Sequence, residues 1–173
     1  MRRILIVVVV LLNVGMVKAQ DANIEKYKSL FTLNFIRYVN WPEAAKQGDF
    51  VIGVVKNASL ANNLRKNSEG KKFGYQDIVV KEFKNIENVT DCQILYVSGT
   101  YYYQKNAPVF ASKLKNKNSL IITESNGAIE KGSMINFVIV DNKLKFELSE
   151  QNAKKFGLGF SNSLTAMASA ITK

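Results

Sequence analysis

Short apolar runs alternate with helix-like stripes along this chain. That alternation predicts an α/β fold: a single-domain three-layer sandwich with a mainly parallel mixed sheet of about six strands, flanking helices and a C-terminal β-hairpin. Three observations carry the prediction. Phe50 to Val55 (FVIGVV) is a continuous apolar run, as a strand covered on both faces requires. Asp141-Asn142 separates the apolar run Met134 to Val140 from the alternating run Lys143 to Leu148, and both turn residues tolerate positive φ, so the runs form a hairpin. With 173 residues, 47% of them apolar, the chain is sized for one domain with a real core.

Residues 1–19 stand apart from that domain. Arg2 and Arg3 form a basic start, Ile4 to Leu12 an unbroken apolar stretch, and Val17-Lys18-Ala19 a small-residue site before Gln20. This is the pattern of a secretory signal peptide, and the stretch is too short for a stable membrane span. An uncleaved anchor is the alternative. The expectation is an exported mature domain over residues 20–173. Losing Arg2, Arg3 and Lys18 leaves 21 basic residues against 14 acidic ones, a net charge of +7. Export argues against nucleic acid as the partner of that charge, and the lysines are scattered rather than massed.

The mature elements follow in order. Residues 23–40 read as a helix, with Ile24, Tyr27, Phe31, Phe35 and Tyr38 as its apolar stripe. Leu33 and Ile36 lie off that stripe, so the second half is apolar on more than one side. Pro42 stops the helix by disfavouring helical geometry at Trp41. After FVIGVV, Asn57 or Ser59 caps a short helix that turns Leu60 and Leu64 inward. Gly70 and Gly74 bracket a basic turn, and residues 77–83 form a more peripheral strand. A third strand, residues 93–97, ends at Ser98-Gly99-Thr100. A helix with Pro108 in its first turn carries Phe110 and Leu114 to the core. Residues 119–123 are the fourth strand, and the hairpin comes next. Ser149 caps a helix that Gly157 ends. A last helix begins near Ser161 with Leu164, Met167 and Ile171 as its stripe, and its small residues Ser163, Ala166 and Ala170 allow close packing. Right-handed crossovers give a spatial order of 2-1-3-4 for the first four strands, extended by the hairpin.

Chemistry is sparse. There is no histidine, which removes Ser-His and Cys-His mechanisms and histidine-containing metal sites. Cys92 is the only cysteine; leading into a buried strand, it reads as a small apolar group, and no intramolecular disulfide is possible. Nucleophile-elbow, dinucleotide and phosphate-loop motifs are absent. Glu124 and Glu130 flank one turn and are either a carboxylate pair or two solvated loop acids; nothing in the sequence fixes their separation. No catalytic residue, metal site or cofactor is expected. A ligand pocket has more support. The carboxyl ends of the strands place Asn57, Ser59, Ser98, Gly99 and Thr100 at the topological switch point, where helix N-termini would favour a small anionic ligand. The same residues also serve as ordinary helix and turn caps. Tyr101-Tyr102-Tyr103, read as a loop, cannot all face one core, so at least one is exposed, either on a binding surface or over neighbouring loops.

The ordered set Phe31, Asn34-Phe35, Tyr38, Trp41-Pro42, then FVIGVV, then DCQILYVSG, then GSMINFVIVDNKLKFELSEQNAKKFGLGFSNSL resembles the YfiR-like family of periplasmic proteins. The resemblance spans nearly the whole mature chain. Its specific parts are the "NF…Y…WP" helix end and the stretch from Gly132 to Leu164, with Met134-Ile135-Asn136-Phe137, Phe146-Glu147, Gly157-Leu158 and Ser161. It implies a non-catalytic periplasmic regulator that binds the extracytoplasmic domain of an inner-membrane signalling protein, a diguanylate cyclase or a sensor kinase, and restrains it. In the cyclase case, relief of the block raises cyclic-di-GMP and promotes biofilm. It also implies a homodimer. This sequence departs from the family pattern in having no paired cysteines, which rules out redox control through an intramolecular bond. It also has Gly132-Ser133 where the family carries Gly-Gly.

The partner-binding candidates are then Leu33, Ile36, Trp41 and Tyr101, Tyr102 and Tyr103. For Trp41 the core-sealing role is favoured over an anchor for the partner, because a large aromatic at a helix end commonly closes a core. Leu33 and Ile36 face a competing reading, cover by the last helix. The rival to the whole regulator reading is a periplasmic small-ligand sensor or carrier using the strand-end pocket.

Overall fold

The computed structural model describes residues 23–173. The signal peptide expected over residues 1–19 lies outside the described residues. Among those described, no helix is long and apolar enough to cross a membrane.

Helix α1 covers residues 23–38 and runs into a two-residue strand, β1 (Val39–Asn40). The chain then gives β2 (Phe50–Val55), α2 (Ala58–Ser68), β3 (Lys72–Phe73), β4 (Gln76–Phe83), β5 (Ile94–Val97), α3 (Thr100–Leu114) and β6 (Leu120–Thr123). It continues through β7 (Ile135–Val140), β8 (Lys143–Ser149), α4 (Glu150–Lys155), β9 (Gly159–Phe160), α5 (Asn162–Met167) and β10 (Ala170–Thr172). One mixed sheet of eight strands has the order β10-β8-β7-β6-β5-β2-β4-β3. Its centre, β4-β2-β5-β6-β7, is parallel throughout. The expected order of the first four strands and the hairpin extension both hold. Two edge strands, β3 and β10, take the count from about six to eight, and β1 pairs with β9 in a separate two-stranded ribbon.

The crossovers β2–α2–β4 and β5–α3–β6 travel in opposite directions along the sheet. With right-handed connections this sets α2 and α3 on opposite faces. Asn67 of α2 donates from Nδ2 to Ser29 Oγ of α1 at 2.9 Å, which keeps α1 on the face of α2. There the Phe35 ring centroid lies 5.1 Å from that of Phe146 and 5.9 Å from that of Phe137, so α1 is riveted to the β7–β8 hairpin by aromatic contact.

Three elements differ from the expectation. The buried line of α1 is Ser29, Thr32, Phe35 and Ile36, while Tyr27, placed on the apolar stripe, is 54% exposed. Small residues let the helix approach the sheet more closely than a tyrosine would. The Ser29 hydroxyl is satisfied there, donating to the Lys26 carbonyl at 2.7 Å and accepting from Asn67. The tyrosine run is not a loop: it lies in the first turn of α3, which starts directly after Gly99 (φ 88°), and Pro108 sits two turns in rather than at the start. Tyr103, Ala107, Phe110 and Leu114 form one buried stripe at helical spacing, and that stripe sustains the helix across the proline. The last helix is short. After Met167 the chain pairs with the open edge of β8, with Ser169 donating from its backbone N–H to the Phe146 carbonyl at 2.9 Å and Ile171 opposite Leu148. Met167 and Ile171 are exposed rather than a buried stripe, because satisfying a sheet edge outweighs extending a helix with little left to bury.

Trp41 takes the favoured role at the helix end. The helix gives way to β1, so the Ile36 carbonyl has lost its partner one turn on. The Trp41 indole N–H fills that vacancy at 2.8 Å. Its ring meets Phe50 edge-on at 5.1 Å, and the residue is buried. Trp41 seals the core and is not a surface anchor, and Ile36 is likewise core.

Cys92 is buried beside Gly53, at which any added Cβ would stand 2.8 Å from the Phe83 ring and 3.3 Å from the Cys92 sulfur. Burial pushes the thiol up to about 12. Burial also raises the Tyr96 and Tyr103 phenols. In the unfolded chain these groups ionise near 9.0 and 10.0, so the native state holds more protons above pH 9.0 and stability falls as pH rises from there. The expected decline approaches about 1.4 kcal/mol per pH unit per group. Melting curves between pH 8 and 11 check it; the Cys92→Ala variant declines less steeply from pH 9 to 10. In the native protein Cys92 should stay unreactive towards thiol reagents at pH 8.

Candidate functional site

Three parallel strands deliver polar groups to one end of the sheet. β2 leads to Asn57, β5 to Ser98 and Gly99, and β6 to Glu124; the first turns of α1 lie across them and add Glu25 and Lys28. Asn57 acts first as a cap: its Oδ1 accepts from the Leu60 N–H at 2.9 Å. Its Nδ2 donates both to Ser98 Oγ, at 3.0 Å, and to Glu25 Oε2, at 2.8 Å. The other Glu25 oxygen pairs with Lys28 Nζ at 2.7 Å. Lys28 also pairs with Glu124 Oε2, the same oxygen that accepts from the Tyr96 hydroxyl at 2.9 Å. An unbroken chain of hydrogen bonds therefore runs Ser98–Asn57–Glu25–Lys28–Glu124–Tyr96.

The electrostatics follow from burial. Desolvation alone would pull the Lys28 ammonium down, but Glu124 and then Glu25 outweigh it, and the group is held above its ordinary 10.5. Tyr96 is raised well above the usual phenol value, chiefly by burial and further by the Glu124 and Glu25 carboxylates. At neutral pH the site is one cation between two carboxylates, with a neutral phenol behind them.

This cluster floors a cleft of about 1110 Å³ between α1 and the β7–β8 hairpin. Asn57, Gly99, Thr100 and Asn126 line the polar side, and Ile24, Phe137, Ile139 and Leu144 the apolar side. Of the residues expected at a strand-end pocket, Asn57, Ser98, Gly99 and Thr100 are thus brought together. Ser59 is exposed on α2 and does not line the cleft. The anion expected here meets the chain's own Glu25, which already occupies the hydrogen-bonding position beside the N-terminus of α2. Replacing Asn57 by alanine should lower stability by about 1 kcal/mol, the worth of a cap, and chemical denaturation reads it.

The partner-binding candidates are spread more widely. Leu33 is half-buried, and Ile36 and Trp41 are core, which removes both from any contact surface in this fold. Tyr101 is 78% exposed, next to Thr100 on the cleft rim. Tyr102 is half-buried; its hydroxyl accepts from the Ile86 N–H at 2.7 Å and Lys56 Nζ lies 4.6 Å from its ring centroid. Tyr103 is buried, donating to the Lys131 carbonyl at 3.3 Å. The three tyrosines therefore divide into one free ring, one loop brace and one core residue.

Sequence reasoning missed the centre of the network. From sequence, Glu124 reads as one of a pair with Glu130 or as a solvated loop acid, yet its partners are Lys28 and Tyr96, and Glu130 is exposed. Two signals were present. Glu25 and Lys28 stand at i, i+3 on a helix, and a tyrosine within the apolar run ILYV needs a partner for its hydroxyl. Neither says that the two meet. Chemically, every carboxylate of the cluster is engaged by a donor, and the Ser98 hydroxyl faces an amide rather than a base. Among the described residues no group of acids and cysteine is set to hold a metal ion.

The YfiR/HmsC-like family model matches residues 25–169. That family is regulatory, non-catalytic and periplasmic. No curated protein matches the chain. Among solved structures, a conserved domain protein from Vibrio cholerae O1 biovar eltor aligns with a TM-score of 0.53 at 11% identity, covering 71% of this chain and 55% of that one. The ABC domain in complex with L-Trp from Streptococcus pneumonia aligns with a TM-score of 0.49 at 9% identity, covering 70% and 54%. The chain thus spans about half the length of these structures. The first likeness is one of fold alone.

Proposed function

The chain belongs to the YfiR/HmsC-like family, and from that footing we propose that it is an exported, non-catalytic regulator that binds the extracytoplasmic domain of an inner-membrane signalling protein and restrains it. A diguanylate cyclase or a sensor kinase is the class of partner. The observation that carries this reading is the family match across residues 25–169, nearly all of the described domain. The closed polar network supports it, since a site whose acids, amine and hydroxyl engage one another is built to hold a shape rather than to turn over a substrate. Tyr101 and the half-buried Leu33 are the accessible members of the contact surface, and the regulator acts as a homodimer.

The rival, a small-ligand sensor or carrier using the strand-end pocket, is disfavoured for an anionic ligand by Glu25 and Glu124 at the strand ends, because both would repel it. A metabolite that raises the melting temperature of the purified chain would revive it.

The test is photocrosslinking in intact cells from a reactive residue at position 101, with captured proteins identified by mass spectrometry. Capture of a cyclase or sensor kinase, lost in a folded Tyr101→Asp variant when the crosslinker is moved to a neighbouring position, is expected. Failure to capture any membrane protein from normally expressed chain would overturn the reading.

A further inference from the structure

The β7–β8 hairpin outruns the sheet that carries it. β6 pairs with β7 only at Ile135 and Asn136, whereas β7 pairs with β8 all the way to Val140↔Lys143. The closing turn has Asp141 at φ 51° and Asn142 at φ 58°, a two-residue loop of the I′ kind, so Val140 and Lys143 exchange the hydrogen bonds that close the hairpin. Antiparallel ladders alternate. Val138 therefore also bonds to β8, and Ile139, between the two, aims its backbone N–H and C=O away from β8. On that side β6 has already ended, and the space beyond it is the cleft of about 1110 Å³. Ile139 is 54% exposed and Val140 37%.

We propose that this open edge, from Phe137 to Val140, binds an extended segment of a partner protein as an added strand. The inference deepens the regulator reading above and rests on it for the identity of the partner. Main-chain groups at strand spacing call for another main chain, which a compact metabolite does not supply. Four residues of edge span roughly 13 Å, enough for four or five residues of partner. Side chains of one parity would meet Ile24, Ile139 and Leu144; those of the other would point to the solvent side of the cleft. The carboxylates lining the cleft, Glu25, Glu124 and Glu147, outnumber Lys28 and Lys145, so the segment is neutral or basic, with apolar residues at alternate positions.

A displayed library of random heptapeptides, selected against the purified chain, supplies the probe. The strongest peptide is then synthesised with N-methyl groups at alternate residues in each of two registers. Selected peptides should carry alternating apolar residues, and one methylated register should bind about tenfold more weakly than the other, as the loss of a main-chain hydrogen bond requires. Ile139→Pro, which removes an N–H not used by the ladder, should weaken binding similarly, and Ile139→Thr should do so less. The methylation arm uses the unaltered protein and decides the matter even if the proline variant misfolds. Equal binding of both registers would overturn the proposal, as would no peptide binding tighter than about 1 mM. Self-association abolished by Ile139→Pro would also overturn it, by giving the edge to a second copy. None of these results bears on whether crosslinking captures a membrane partner, so the two readings fail separately.

Discussion

Replacing Lys28 by methionine should lower the unfolding free energy by about 3 kcal/mol, far more than a surface lysine is worth. The cost arises from what is left behind. Glu25 and Glu124, each only about one-fifth exposed, would face each other across an apolar side chain with their shared cation gone. Glu124→Gln alone should cost less, since the amide still accepts from Tyr96. The double variant should cost less than the two single changes together, because removing one carboxylate relieves the repulsion that the methionine exposed. A folded lysine held above 10.5 contributes its full stabilisation below that value and loses it as pH rises past it. Urea titrations of the variants at pH 7, and of the unaltered chain from pH 7 to 11, check these expectations.

Trp41→Ala should be the most damaging single truncation at the helix end, costing about 4 kcal/mol. Three things are lost together: the ring against Phe50, the volume that closes the core, and the indole N–H that satisfies the Ile36 carbonyl. Trp41→Phe keeps most of the packing and leaves that carbonyl unpartnered, so a loss of about 1–2 kcal/mol is expected. If the phenylalanine variant folds and still engages its partner, the structural role of Trp41 stands. Because this is the only tryptophan in the chain, its emission should be blue-shifted in the native state and move red on unfolding, giving a direct readout of the same transition.

The parts of the fold legible in the sequence are those where local pattern and tertiary need agree. FVIGVV had to be covered on both faces and became β2, at the heart of the sheet; Asp141-Asn142 tolerate positive φ and made the hairpin turn. The strand order 2-1-3-4 is that of a doubly wound sheet with right-handed crossovers, and the sheet has it. The errors fall where one signal overrode another. Pro108 pulled the expected start of α3 forward, although the stripe Tyr103, Ala107, Phe110, Leu114 already pointed to a longer helix. On α1 the large aromatics outbid Ser29 and Thr32, whose small size is what sets the helix against its neighbours. The end of the chain looked helical because nothing local reveals that β8 lacks a neighbour.

The site divides along the same line. Asn57, Ser98, Gly99 and Thr100 could be placed because topology alone brings strand ends together. The ion network could not, because Lys28 and Glu124 are 96 residues apart and only the docking of α1 makes them partners. The open edge of β7 is also a tertiary fact: it depends on where β6 stops relative to the hairpin.

The central claim is that this chain restrains a membrane signalling protein without doing chemistry of its own. The most direct measurement is the activity of the captured membrane protein, reconstituted in vesicles, with and without purified residues 20–173 on its extracytoplasmic side. Activity should fall as the chain is added, saturate, and recover when the Tyr101→Asp variant replaces it. Activity that stays level or rises while binding is complete would contradict the account.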